Sequence, residues 1–226
     1  MAYQIFVALT TEGPTDNRFL ETVVEKTFYE LSCKHLEQEI ECYVNILKVK
    51  KTGLDNDEYI KEAAKEAMSQ LGATTLAVHA DADKMTYEAR RANKIATVEE
   101  FLKGQNPDDY CLLLTPVIPV RMIEAWMLAD KDLLREEIGT TLTNAQLEID
   151  GDAESMACPK EKIMKAIRLA QENASHKNPV KNIDISDLYE IIGQKLDITK
   201  LETLDSFRKF EGEVLETFKK LGLRVK

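Results

Sequence analysis

The sequence contains little of what a disulfide framework or a zinc site requires. Among its 226 residues are only four cysteines and three histidines. The cysteines (Cys33, Cys42, Cys111 and Cys158) form no CxxC pair and have no histidine at zinc-ligand spacing. We therefore expect neither disulfides nor zinc, and we interpret the four thiols as small buried apolar side chains.

Long apolar runs are also missing. No run approaches the ~18 to 20 residues that a membrane span needs, and residues 1–7 lack the basic region of a signal peptide. A composition of 44% hydrophobic and 31% charged residues is typical of a soluble globular protein. We expect a cytoplasmic protein without a membrane partner.

Basic residues are outnumbered. The chain has 30 Lys and Arg against 40 Asp and Glu, a net charge of −10. Proteins that bind long stretches of nucleic acid through phosphate neutralisation normally have the opposite sign. Any contact with nucleic acid should therefore be local, bridged by a metal ion or shared with a partner protein.

The first 130 residues alternate strand patterns with helix patterns. Apolar runs at 3–10, 42–49, 75–80 and 111–118 predict four strands covered on both faces. Pro116 indicates that the fourth strand stops pairing near Thr115 or lies at an edge. Amphipathic segments that follow the strands predict helices from an N-cap at Thr15 and over 56–71, 87–103 and 120–129. The predicted fold class is α/β, with a mostly parallel four-stranded sheet flanked by helices.

The pattern changes after residue 130. Shorter helices are predicted over 131–138, 160–173, 185–193 and 205–221, with loops between them. We therefore divide the chain into an α/β domain, residues 1–130, and a helical C-terminal extension, residues 131–226.

Acidic residues follow two of the predicted strands. Glu12 comes after the first strand, and Asp81 and Asp83 end the third, where alternate residues project to the same side. Reactive groups of such sheets gather at the carboxyl ends of the strands. Either motif alone is typical of an ordinary turn or helix cap, but the two together in this order favour a site.

Clustered carboxylates need a counter-charge. Two like charges about 5 Å apart repel by roughly 3 kcal/mol at an effective dielectric of about 20. A divalent cation removes this repulsion, and hard oxygen ligands suit Mg²⁺ or Mn²⁺. Such an ion can bind a phosphate oxygen and activate water.

The same motifs resemble the TOPRIM fold of topoisomerases, bacterial primases, recombination proteins and nucleases of the overcoming-lysogenization-defect type. The matching stretches are residues 11–16 (TEGPTD) and 79–83 (HADAD). Residues 116–130 (PVIPVRMIEAWMLAD) further resemble small stand-alone bacterial TOPRIM-like proteins, some found among defence genes. The resemblance implies a TOPRIM-like domain over residues 1–130, with Glu12 as general acid/base and Asp81 and Asp83 as ligands of Mg²⁺.

The sequence also departs from that family. Topoisomerases and primases usually have a glycine shortly after Asp-x-Asp, whereas Lys84, Met85 and Thr86 follow here. We can assign no tyrosine as a covalent nucleophile, and the accessory domains of those enzymes are missing. We therefore favour hydrolysis of phosphodiesters over strand passage or primer synthesis.

Other polar residues have two interpretations each. Asp16 is either a ligand of a second ion or a first-turn acid that favours the helix dipole. Glu124 is either a further metal ligand or the partner of Arg121 in an i,i+3 pair. Lys84 and Arg121 are placed to meet a phosphate or are simply solvated. His79 is more often structural than a base in such a position.

Three functions remain open at this stage. The first is Mg²⁺-dependent cleavage of nucleic acid, in bacterial defence if the resemblance extends so far. The second is a non-catalytic subunit that works through a partner such as an ATPase. The third is a metal-dependent enzyme acting on a small phosphate or nucleotide.

Overall fold

The computed structural model describes residues 3–50, 52–174, 180–224 and 226. Four strands form a parallel sheet in the order β2-β1-β3-β4. The strands are β1 (Tyr3–Thr10), β2 (Ile40–Ile46), β3 (Thr75–His79) and β4 (Leu114–Val117). The predicted α/β class with a parallel sheet is confirmed.

Helices cover the sheet and continue beyond it. The first half contains α1 (Pro14–His35), α2 (Asn56–Leu71), α3 (Tyr87–Arg91), a π-helical turn (Ala92–Ala96), α4 (Thr97–Leu102) and α5 (Ile123–Met127). The second half contains α6 (Lys131–Ile138), a 3-10 turn (Ala153–Ser155), α7 (Pro159–Glu172), α8 (Ile185–Lys195), α9 (Ile198–Leu201) and α10 (Asp205–Lys220). The helix predicted over residues 87–103 is thus interrupted by the π-helical turn.

Strand ends differ from the apolar runs that predicted them. β3 ends at His79, so the alternation expected for Asp81 and Asp83 does not extend to these two residues. β4 is an edge strand that contains Pro116, which confirms the edge interpretation of that proline. An edge tolerates the missing N–H because no further strand needs that hydrogen bond.

The start of α1 corrects the predicted N-cap. The helix begins at Pro14, with Gly13 as the N-cap instead of Thr15. Proline fits the first helical position because its nitrogen has no hydrogen to leave unpaired. The Asp16 carboxylate accepts the Gly13 N–H at 2.8 Å, so the expected first-turn role of Asp16 is observed.

The sheet separates two apolar layers. On one face, Ala8, Leu76 and Val78 pack with residues of α2, the π-helical turn and α4. On the other face, a larger cluster joins β1 and α1 to α5 through α10. Trp126 is fully buried there, and its indole N–H donates to the Ser206 hydroxyl at 2.8 Å. The helical extension therefore shares a core with the sheet.

The cysteines are free thiols, but their expected burial holds only in part. Cys111 is buried and Cys42 partly buried, whereas Cys33 and Cys158 are exposed. The prediction is wrong for the two exposed residues, since Cys33 lies on the outer face of α1 and Cys158 caps α7. Burial raises the pKa of the Cys42 and Cys111 thiols to about 12.

No helix within the described ranges is long and apolar enough to cross a membrane.

Candidate functional site

The acidic residues selected from the sequence lie at the carboxyl edge of β1 and β3. These strands are neighbours, with Thr10 paired to Val78, so the loops that follow them meet. The loop after β1 carries Glu12 and the start of α1, and the loop after β3 carries Asp81 and Asp83. The acids that follow the first and third strands therefore lie at the same edge of the sheet.

Glu12 and Asp83 contact the same cationic atom. Arg90, from α3, places Nη2 2.8 Å from Oδ2 of Asp83 and 3.8 Å from Oε1 of Glu12. The arginine side chain is only 12% exposed, whereas those of Glu12 and Asp83 are 44% and 61% exposed. Two carboxylates open to solvent thus converge on one guanidinium that is mostly shielded from solvent.

Asp81 and Asp16 meet a different group. His79 is buried between them, with Nε2 3.2 Å from Oδ1 of Asp81 and Nδ1 3.7 Å from Oδ2 of Asp16. Oδ1 of Asp81 also accepts the backbone N–H of Ile123 at 3.1 Å, which ties this loop to the first turn of α5. The hydrogen bond to Asp81 is the kind of contact expected of a structural histidine. The role of His79 stays a prediction.

Glu124 lies deeper in the same region. It is 5% exposed and accepts a hydrogen bond from the hydroxyl of Tyr189 on α8. Burial raises the pKa of Glu124, and the charge of nearby Asp81 raises it further, while the Tyr189 hydrogen bond opposes the shift. Lys160 Nζ stands 3.9 Å from Oε1 of Glu124. Within the described ranges no Arg121–Glu124 pair forms, so that interpretation of Glu124 is wrong.

Two residues beside the acidic site have strained backbones, one in the loop after β3 and one in the loop after β4. Asp83 and Arg121 have φ values of +54° and +51°, which residues other than glycine seldom adopt. The two residues are joined, because the Asp83 N–H donates to the Arg121 carbonyl at 2.8 Å. Strain of this kind is concentrated at functional sites.

The two residues expected to meet a phosphate lie at this edge. Lys84 is exposed, and Arg121 is half-buried. In the part of the chain that the structure describes, neither forms an ion pair with a carboxylate.

The arrangement can be tested for its fit to a divalent cation. Of the residues described, no three Asp, Glu, His or Cys side chains stand close enough together to enclose a metal ion. Mg²⁺, however, is commonly held by one or two carboxylates, with water and substrate phosphate completing its octahedron. The Glu12 and Asp83 pair fits that pattern, since both carboxylates already face a shared positive charge.

Sequence reasoning missed two site residues, Arg90 and Tyr189. Arg90 lies seven residues after Asp83 inside a helical pattern, where charged residues are usually solvated. Tyr189 lies 65 residues after Glu124, and the apolar stripe of α8 signals burial without indicating where the hydroxyl points.

Comparison with known proteins found no match: no family model, curated protein or solved structure matches the chain. The chemistry of the site therefore has to be argued from its geometry.

Proposed function

We propose that this chain is a TOPRIM-like, Mg²⁺- or Mn²⁺-dependent phosphodiesterase that cleaves nucleic acid in the cytoplasm. The observation that supports this proposal most strongly is the convergence of Glu12 and Asp83 on one cationic atom at the carboxyl edge of a parallel sheet. Asp81 lies two residues from Asp83 in the same loop. Such carboxylates provide the oxygen ligands that these two ions prefer.

The charged residues of the site would have different roles in this reaction. Glu12 and Asp83 would hold the ion, and Asp81 would join them only by releasing His79 and the Ile123 N–H. The exposed Glu12 carboxylate would also accept or return a proton. A bound Mg²⁺ would supply Lewis acidity toward a phosphate oxygen and acidify a coordinated water. Arg90 and Lys84 would meet the charge of the phosphate.

Asp16 and Glu124, the two further candidate ligands, lie on the inner side of this centre. Asp16 caps α1 and faces His79, and Glu124 is bound by Tyr189. We assign both to supporting the site: through His79 and α5 they fix the loop that carries Asp81. A second ion would have to displace these contacts.

One observation favours a second candidate, a non-catalytic subunit. Arg90 already compensates Glu12 and Asp83, so the site can be electrostatically satisfied without metal. In that case the fold would act through a partner protein such as an ATPase, and the acidic surface would suit such a role better than contact with long nucleic acids.

Cleavage assays separate these functions. The full chain is incubated with plasmid, single-stranded oligonucleotide or nucleotides in Mg²⁺, Mn²⁺ or EDTA. We expect metal-dependent cleavage of the polymers that falls at least about 100-fold in Glu12→Gln and Asp83→Asn, since each change removes a metal ligand. Asp132→Asn, at an acid that is 84% exposed on α6, is the matched control and should retain full activity.

Three results would contradict the nuclease. Polymer cleavage unaffected by either site variant would show that these carboxylates do not act in catalysis. Mn²⁺ binding without any cleavage would select the subunit, and nucleotide turnover without polymer cleavage would select a small substrate. Circular dichroism on each variant verifies folding.

A further inference from the structure

A cleft of about 380 Å³ opens beside Glu12, on the face of the sheet covered by α2. Its lining includes the carboxyl end of β3 at Val78 and His79, the first turn of α2, and the π-helical turn at Lys94. This volume lies within the range of pockets that hold small organic ligands. The cleft shares Glu12 and His79 with the acidic site and is therefore continuous with it.

The chemistry of the lining suits a nucleoside better than a phosphate. Leu54 and Tyr59 offer apolar and aromatic surface on which a base can stack. The Asn56 amide belongs to the same lining and is itself bonded to Lys94. Asp55 and Glu12 are acidic members of the same lining, so an anionic group is favoured only next to Lys94 or next to a bound cation.

Among the residues that the structure describes in this lining, Lys94 is the cation. Its Nζ donates to Oδ1 of Asn56 at 2.9 Å, and Nδ2 of Asn56 lies 3.3 Å from the Lys94 carbonyl, so the two residues hold each other in place. Over the described ranges, no carboxylate lies within ion-pair distance of Lys94. The π-helical turn that carries it is a feature often found at functional sites. In a chain with a net charge of −10, this lysine is placed to meet an anion.

We propose that the cleft binds one nucleotide unit. The base and sugar lie against Leu54 and Tyr59, one phosphate reaches the Glu12 and Asp83 centre, and a second phosphate meets Lys94. The position of the first phosphate rests on the proposed function, whereas the nucleoside contacts and Lys94 do not. A nucleotide unit can come from a single strand or from a free nucleotide, and the experiment distinguishes the two sources.

The test measures binding instead of cleavage. Fluorescence anisotropy follows a labelled eight-residue oligothymidylate, with AMP as competitor, in EDTA and in Ca²⁺. Variants of the full chain are Lys94→Glu, Lys94→Gln and, as the charge-matched control, Lys103→Glu at an exposed lysine nine residues along the chain. We expect Lys94→Glu to weaken binding about tenfold or more, Lys94→Gln to weaken it less, and Lys103→Glu to change it less than about twofold.

Each outcome decides a separate point. If AMP displaces the oligonucleotide, the ligand is a free nucleotide. If AMP does not displace it, the ligand is a nucleotide unit within a strand. Equal binding by wild type and Lys94→Glu would contradict nucleotide binding in the cleft, and so would the absence of binding by wild type in both buffers. If Lys94→Glu weakens binding while the cleavage assays show no hydrolysis, nucleotide binding in the cleft is supported and the proposed hydrolysis is contradicted.

Discussion

At the scale of single residues, Arg90 is the side chain that supplies a positive charge to Glu12 and Asp83. The sequence predicts the acids, because each follows an apolar strand, and it predicts that they need a counter-charge. It does not predict that a side chain supplies one. Arg90 and Arg91 are adjacent in one helical pattern, yet Arg91 pairs with Glu99 and Glu213 instead. Which of the two faces the acids depends on how α3 packs, and that is set by tertiary contacts.

Removing Arg90 should strengthen metal binding. In Arg90→Gln, Glu12 and Asp83 lose a competing positive charge, and we expect Mn²⁺ affinity to rise about tenfold, as measured by isothermal titration calorimetry. Arg168→Gln, at a 66% exposed arginine on α7, is the control and should bind Mn²⁺ like wild type. Equal or weaker binding by Arg90→Gln would show that the guanidinium does not compete with the ion.

At the scale of elements, the crossing of α1 and α8 positions Tyr189. A Cβ atom on Gly193 would lie 2.9 Å from the carbonyl oxygen of Phe19 and 3.1 Å from its Cα. Both are backbone atoms, so the helices can approach this closely only with glycine at 193. Tyr189 lies one turn earlier on α8 and reaches Glu124 from this position.

Alanine substitutions at two glycines should therefore have opposite effects. Gly193→Ala should lower the free energy of unfolding by about 1 to 3 kcal/mol, because the methyl group forces the helices apart. Gly212→Ala in α10 has no atom within 4 Å of its new Cβ and should raise stability by about 0.5 to 1 kcal/mol through helix propensity. Urea unfolding measures both. A neutral or stabilising Gly193→Ala would contradict the close approach.

Glu137 joins α6 to α8 and adds a pH-dependent contribution. It is 3% exposed and accepts from Lys195 at 2.6 Å and from Lys181 at 3.4 Å. The hydrogen bond from Lys195 lowers the pKa of Glu137. Because the native pKa is lowered, this stabilisation is present above the ordinary pKa of about 4.3 and is lost as the pH falls through the native value.

Glu137→Gln should accordingly destabilise the protein by about 1 to 3 kcal/mol at pH 7, since a charge-assisted hydrogen bond is replaced by a neutral one. At a pH near 3 the difference from wild type should shrink, because Glu137 becomes protonated. Urea unfolding at the two values checks this. A difference that stays constant or grows toward low pH would exclude the lowered pKa.

The outline of the elements was predictable, and their ends were less so. β1 and α2 match their predicted bounds because each has a complete pattern: an apolar run in β1, and in α2 an amphipathic stripe closed by Gly72. β3 stops at His79, and just beyond it Asp81 bonds to the side chain of His79 and to the N–H of Ile123. Such contacts connect distant residues, and local periodicity carries no information about them.

At the scale of the whole molecule, the division of the chain into two parts at residue 130 remains a prediction from the sequence pattern. The larger apolar cluster runs from Ile5 and Phe19 through Trp126 to Phe207 and Phe210. The rings of Trp126 and Phe207 meet edge to face, with centroids 5.2 Å apart. The extension thus completes a core that the sheet and α1 leave open, and it also supplies Tyr189 to the site.

This shared core predicts cooperative unfolding. Trp126 is the chain's single tryptophan, so its fluorescence reports the junction between sheet and extension, while far-ultraviolet circular dichroism reports all helices. Urea should produce one transition with the same midpoint by both probes. Two separate midpoints would show that residues 131–226 unfold independently.

The proposed function depends on a divalent cation held by Glu12 and Asp83, beside Asp81, at the carboxyl edge of the sheet. The most direct measurement is an anomalous difference map from crystals grown in Mn²⁺. We predict a peak about 2.0 to 2.2 Å from oxygen atoms of Glu12 and Asp83, with Arg90 withdrawn from between them. A map without a peak at this edge, with Arg90 still bound to both carboxylates, would contradict the claim.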